Sequence, residues 1–183
     1  LTGELEKTNE PYAIAKIAGI KMCQSYNFQH KTNYKCLMPC NLYGPNDNFD
    51  LKSSHVLPAM IRKFHEAKLT GHAPVQLWGT GTPMREFLHV DDLSQAVVFA
   101  LENTLTEHLY NVGTGVDLTI NELSLIIQTI VGHRGEILWD TSKPDGTPRK
   151  LLSIQKILRT GWKPKVALQD GITGVYQIYK SNN

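Results

Sequence analysis

Tyr12 and Lys16 stand four residues apart in the stretch NEPYAIAKIAGIKM, residues 9 to 22. On a helix this spacing places both side chains on one face, with Cβ atoms about 5–6 Å apart. A free phenol has a pKa of about 10 and exchanges protons poorly near neutrality. A fixed ammonium beside it favours the phenolate and lowers that value. Such a pair can give a proton to a carbonyl oxygen while a hydride arrives at the carbon. The same spacing also arises by chance in surface pairs, so the pair alone leaves both readings open.

The elements that must position this pair follow from pattern and punctuation. Pro11 suits the first turn of a helix, because its missing N–H would be unpaired there. That helix is expected to run to about Phe28, and its scattered small and apolar residues suggest burial on more than one side. YKCLMP reads as a short buried strand ended by Pro39, and CNLYGPNDNFD as a loop. A second helix is expected over SSHVLPAMIRKFHEA, capped by Ser53 or Ser54. PVQLWG reads as a strand and TGTPMR as a loop. VDDLSQAVVFALEN reads as a helix capped by Asp91 or Asp92. LYNVG is a further strand. TINELSLIIQTIVG carries Thr119 and Glu122 at capping-box spacing and ends on Gly132. GEILWD is a strand, KPDGTPRK a loop, and SIQKILRTG and ALQDGITGVYQIYK two final helices. Strands and helices alternate, so the fold class is α/β.

Composition bounds the function. The chain has 183 residues, a formal net charge of +2 and 41% hydrophobic residues, which allows one ordinary domain or one domain with part of another. The charges are dispersed, which argues against nucleic acid. No apolar stretch approaches membrane-spanning length, and the acidic, polar LTGELEKTNEP is no signal peptide. Cys23, Cys36 and Cys40 are odd in number and lack zinc spacing, so reduced thiols in a cytoplasm are expected and no metal site is. His55 reads first as a polar residue at a helix start, and the other six histidines, His89 included, carry no role. No GxGxxG or GxxGxxG turn occurs in a strand–turn–helix context.

YxxxK on such a helix resembles the short-chain dehydrogenase/reductase superfamily, and NLYGP with REFLHVDD resembles its extended, nucleotide-sugar-modifying branch. NEPYAIAKIAGIK, MPCNLYGPNDNF, SSHVLPAMIRKFHEA, WGTGTPMREFLHVDD, NVGTGVD and KPDGTPRKLL follow one another in the order and spacing of the GDP-L-fucose synthase family. This resemblance implies the C-terminal part of a two-domain α/β enzyme. Residues 1–45 and 87–115 would belong to a Rossmann-like NADP domain, and 46–86 and 116–183 to a smaller α/β substrate domain. The family's glycine-rich turn, its catalytic serine and an epimerising cysteine precede the tyrosine, so on the order of a hundred further residues are expected upstream.

The resemblance also assigns roles. Tyr12 would protonate the C4 keto oxygen, and Lys16 would hold the nicotinamide ribose. Pro39, Cys40, Asn41 and Leu42 would border the NADP(H) nicotinamide together with His55, and Asn41 would also touch substrate. His55 would be the acid of a 3,5-epimerisation, since protons flanking a ketone are acidic enough to be exchanged. Lys63, Trp78, Arg85 and Asp145 would bind the GDP-sugar. Lys63 stands where the family carries arginine, and Arg62 is its neighbour. The implied reaction converts GDP-4-keto-6-deoxy-D-mannose to GDP-L-fucose with NADPH, in a cytoplasmic homodimer. A GDP-deoxyhexose 4-reductase without epimerisation, or a non-catalytic nucleotide-sugar-binding or dimerisation module, are the alternatives.

Overall fold

A computed structural model describes residues 3–183. A 3₁₀ turn, Lys7–Asn9, leads into α1 (Glu10–His30), which has Pro11 in its first turn and Lys31 in the left-handed region after its last. Among the described residues α1 buries only Asn27, so the expected burial on several sides is not met. Its small residues present little surface to cover. Asn27 anchors the helix end: Tyr34 N–H and Thr32 Oγ1 donate to its Oδ1, and its Nδ2 donates to the Tyr34 carbonyl.

Strand β1 (Cys36–Pro39) lies parallel to β5 (Leu109–Val112), with Cys36 opposite Leu109 and Pro39 opposite Val112. β2 (Asn41–Tyr43) runs parallel to β4 (Met84–His89), Asn41 facing Phe87. Two further strands join β4: β6 (Asp117–Thr119) antiparallel and the two-residue β8 (Arg149–Lys150) parallel. β3 (Val75–Trp78) pairs in parallel with β7 (Ile137–Asp140). Four of these strands correct the sequence reading: Arg149–Lys150 was expected in the loop KPDGTPRK, and Asp117–Thr119 carried no expected strand. Asn41–Tyr43 was expected in a loop, but β4 offers it a parallel edge. Met84 and Arg85 were expected in the loop TGTPMR, and EFLH carried no expected element, because Glu86 to His89 are buried without alternation, as happens in a strand covered on both faces.

The helices confirm some ends and correct others. α2 (Val56–Leu69) takes His55, not a serine, as its cap residue. Ser53 Oγ donates to Asp50 instead. α3 (Val90–Glu102) is capped by His89, whose Nδ1 accepts from Asp91 N–H. Asp92, expected as a cap, sends its buried carboxylate to the N–H groups of Lys165 and Val166, 2.9 and 3.0 Å away. α4 (Ile120–Val131) has the expected reciprocal Thr119–Glu122 box and ends on Gly132 at φ 74. α5 (Gln155–Leu158) is one turn, and α6 (Leu168–Ser181) closes the chain.

Apolar residues separate into two cores. The first joins α2, α4 and α6 through Ile61, Phe64, Leu123, Ile127, Ile172 and Tyr176. The second gathers Leu88, Ala96, Tyr110 and Val112. Ile154, Ile157 and Trp162 also enter this second core, so residues 116–183 contribute to both. Gly171 of α6 approaches Tyr43 and His89 so closely that a β-carbon would collide with the tyrosine hydroxyl. No helix among the described residues is long and apolar enough to cross a membrane.

Candidate functional site

A cleft of about 990 Å³ opens between the start of α1, the β1–β2 segment, the start of α2 and β4. It brings together Tyr12, Lys16, Pro39, Cys40, Asn41, Leu42, His55 and Arg85, residues spread over more than seventy positions of sequence. Three of the expected residues, Lys63, Trp78 and Asp145, are not on its wall.

The helical spacing of Tyr12 and Lys16 sets the Lys16 ammonium 5.3 Å from the Tyr12 ring centroid, within range of a cation–π contact. Tyr12 is 61% exposed, so its hydroxyl is open to an incoming group. Across from it, β1 ends at Pro39. Cys40 N–H closes on Val112 O at 3.0 Å, and the chain then enters β2. Asn41 Nδ2 donates to the Glu86 carbonyl at 2.7 Å, which fixes the amide at the cleft wall. Burial, with a smaller push from Glu86, raises the Cys40 thiol to about 12. A thiol so held is no nucleophile near neutrality.

His55 owes its place to the start of α2. Its carbonyl accepts from Ala59 N–H at 3.1 Å, while its imidazole makes no cap bond and faces the cleft. Arg85 stands on β4, where its Nη1 donates to the Met84 carbonyl at 2.7 Å. No carboxylate among the described residues forms an ion pair with it. Burial lowers its pKa, yet arginine remains charged.

A second group lies beyond Arg85. Trp78 is 65% exposed and is therefore not a core aromatic. The ammonium groups of Lys63 and Lys143 stand 5.9 and 5.8 Å from its ring. Lys63 also donates to the Gln76 carbonyl at 2.9 Å, and burial lowers its pKa. Arg62, the alternative to Lys63, is engaged with Glu66 and the Phe49 carbonyl. Asp145 accepts from Thr80 N–H at 2.7 Å and from Thr80 Oγ1 at 2.8 Å, so its carboxylate latches two loops together. Arg85 Nη2 lies beside Gly146, the next residue, and joins this group to the cleft. No cluster of three or more metal-ligating side chains occurs among the described residues.

Sequence reasoning missed Lys143, which gave no signal inside a charged loop. It also passed over Glu86, although a carboxylate inside the apolar run EFLHV was a signal: such a group must find buried donors.

Three comparisons bear on this geometry. The chain is 55% identical over 182 residues to "Probable GDP-L-fucose synthase 1" of Oryza sativa subsp. japonica, matching 100% of this chain and 56% of that protein. It thus spans little more than half the length of this curated relative. A GDP-6-OMe-4-keto-L-xylo-heptose reductase from C. jejuni superposes with a TM-score of 0.91 at 38% identity, over 100% of this chain and 64% of its own. A GDP-L-fucose synthetase from Naegleria fowleri bound to NADP gives a TM-score of 0.90 at 26% identity, over 98% of this chain and 58% of its own. Residues 1–113 match the NAD dependent epimerase/dehydratase family. With its tyrosine–lysine helix set against a parallel strand pair, the chain belongs to the NAD dependent epimerase/dehydratase family of enzymes.

Proposed function

We propose that the protein carrying this chain converts GDP-4-keto-6-deoxy-D-mannose to GDP-L-fucose by 3,5-epimerisation and NADPH-dependent 4-reduction. The observation that carries this reading is the meeting of Tyr12, Lys16, Asn41, His55 and Arg85 on one cleft. The likeness to GDP-L-fucose synthases supports it. So does the N. fowleri synthetase, whose structure holds NADP.

The residues fit a nicotinamide at the Tyr12 end of the cleft: Pro39 to Leu42 offer a mostly apolar wall, and Lys16 a cation for ribose hydroxyls. A bound NADPH would supply the hydride. Tyr12 holds the proton for the C4 oxygen, and the Lys16 ammonium beside it stabilises the phenolate left behind. His55, with its ring uncommitted, returns protons at C3 and C5. Arg85 presents a fork that suits diphosphate oxygens, and Trp78 with two flanking lysines offers a flat, positively charged face. Asp145 would have to exchange Thr80 for a ribose hydroxyl.

Residues 1–45 and 87–115 form the cofactor side in this proposal, supported by the β1–β5 pairing. Residues 46–86 and 116–183 form the substrate side, with Ile154, Ile157 and Trp162 bracing the other core. A homodimer through α1 is part of the same reading, supported by its exposed Ile14, Met22 and Phe28.

The test separates the two half-reactions in the intact protein. Tyr12→Phe is expected to abolish NADPH oxidation while leaving deuterium uptake at C3 and C5. His55→Gln is expected to slow deuterium uptake far more than reduction of an already epimerised intermediate. Reduction without any deuterium uptake in the parent protein would indicate a GDP-deoxyhexose 4-reductase instead. Equal loss of both activities in both variants would overturn the assigned roles.

A further inference from the structure

Glu86 is fully buried and no step above uses it. It follows Arg85 on β4, and successive side chains of a strand point to opposite faces. Arg85 therefore meets the cleft while Glu86 is directed away from it. There both carboxylate oxygens accept hydrogen bonds. Oε1 takes Gly115 N–H at 2.7 Å and, more distantly, the Thr114 hydroxyl. Oε2 takes Leu152 N–H at 2.9 Å. Gly113 sits so close to this carboxylate that a β-carbon there would collide with it.

These donors come from two separate segments. Gly113 to Gly115 follow β5, which lies beside β1. Leu152 follows β8, whose Lys150 is the register partner of Arg85. The loop entering β8 carries Asp145 and Gly146, and Gly146 lies beside Arg85 Nη2. On the opposite side, the Glu86 carbonyl receives the Asn41 amide. One side chain thus ties β4 both to the residue that follows β8 and to the segment after β5.

We propose that Glu86 is a positioning residue that fixes the Arg85 guanidinium and the 145–150 segment at the nucleotide end of the cleft. The hydrogen-bond pattern uses both carboxyl oxygens as acceptors. A carboxylate offers acceptors in both directions, whereas an amide offers one oxygen and one NH₂ group. Glu86→Gln would leave either the Gly115 or the Leu152 N–H facing another donor, an unfavourable arrangement at these part-buried bonds. β8 would then loosen from β4, and Arg85 would lose the wall that orients it. A misdirected arginine keeps its charge but loses bidentate contact.

The inference rests on the reading of Arg85 as a diphosphate contact, so the experiment reads the two separately. In the intact protein, GDP binding is titrated calorimetrically for the parent, Glu86→Gln, Arg85→Ala and the double variant. Glu86→Gln is expected to weaken GDP about tenfold beside Arg85, and less than twofold in the Arg85→Ala background. Contacting residues couple in this way, whereas independent ones add. An equal loss in both backgrounds, or no loss in either, would overturn the proposal. If Arg85→Ala leaves GDP affinity unchanged, the diphosphate reading fails. Positioning is then judged without ligand, from the Arg85 Nε–H resonance and from amide exchange at Gly115 and Leu152. A shifted resonance with faster exchange supports the clamp, and unchanged signals refute it. Should Glu86→Gln not fold, Glu86→Asp carries the same readouts, since it keeps both acceptors but shortens their reach.

Discussion

Helix α1 and strand β4 both line the cleft, and they are held in opposite ways. α1 buries one residue, Asn27, in 21. Strand β4 buries Glu86, Phe87, Leu88 and His89 and is paired with β2, β6 and β8. The tyrosine–lysine pair therefore rides on an element with few tertiary restraints from this chain, while the arginine rides on the most connected strand. Proton transfer and anion binding are thus expected to respond differently to damage: the first to the identity of a side chain, the second to the frame around it.

The largest effect that sharpens this contrast is in the three-helix core. Ile127 is fully buried, and Ile127→Ala is expected to cost about 2–5 kcal/mol in urea unfolding. Ile14 on α1 is 53% exposed within one chain, so in the dissociated monomer Ile14→Ala is expected to stay within about 0.5 kcal/mol. Comparable losses in the monomer would break the contrast and show that this chain itself restrains α1. Next comes the brace behind β4. Asp92→Ala removes the acceptor of two part-buried N–H groups, at up to about 1–3 kcal/mol for each group left unpaired. A cost near zero would mean that water reaches Lys165 and Val166.

A smaller effect comes from acid. His133 is buried, both its ring nitrogens lack partners, and burial with nearby His72 lowers its pKa. His72 Nδ1 accepts from Arg134 N–H, Phe64 packs on the His133 ring, and the Lys68 ammonium on α2 lies nearby beside Gly132. No carboxylate in this set welcomes a second charge. The unfolded imidazole takes its proton near pH 6.5 and the folded one only at lower pH. Stability from His133 is therefore full above about 6.5 and falls as pH drops from there toward the folded value. Urea unfolding between pH 8 and 5 should show this slope, and His133→Phe should flatten it. The smallest expected stability effect is that of Tyr12→Phe. Its melting temperature should match the parent's while reduction is lost. A shift of several degrees would make Tyr12 a structural residue.

The helices were legible because their stripes and ends are local. Thr119, Glu122 and Gly132 bracket α4 by backbone chemistry that needs no tertiary partner. The strands were less so. Asn41–Tyr43 is a strand because β4 lies beside it, and nothing in NLYGP states that. His89 replaced two aspartates as a cap because Asp92 is drawn to Lys165 and Val166, far along the chain. At the site, Tyr12–Lys16 announces itself by spacing, and the other residues needed the family resemblance. Proximity across elements, such as Arg85 to Gly146, is a product of the fold and leaves no mark in sequence.

Gly171 carries a consequence for substitution. In an isolated α6, exchange of glycine for alanine would strengthen the helix by about 1 kcal/mol. In the folded chain the added methyl meets the hydroxyl of Tyr43, a residue 2% exposed, and the His89 ring behind it. Tyr43 has no free direction in which to retreat, so α6 must move outward. That motion would pull Tyr179 away from Phe49, whose rings now lie 4.5 Å apart. The same substitution therefore raises helicity and lowers fit. A library screened for helix content would enrich Gly171→Ala, and one screened for folded protein would discard it.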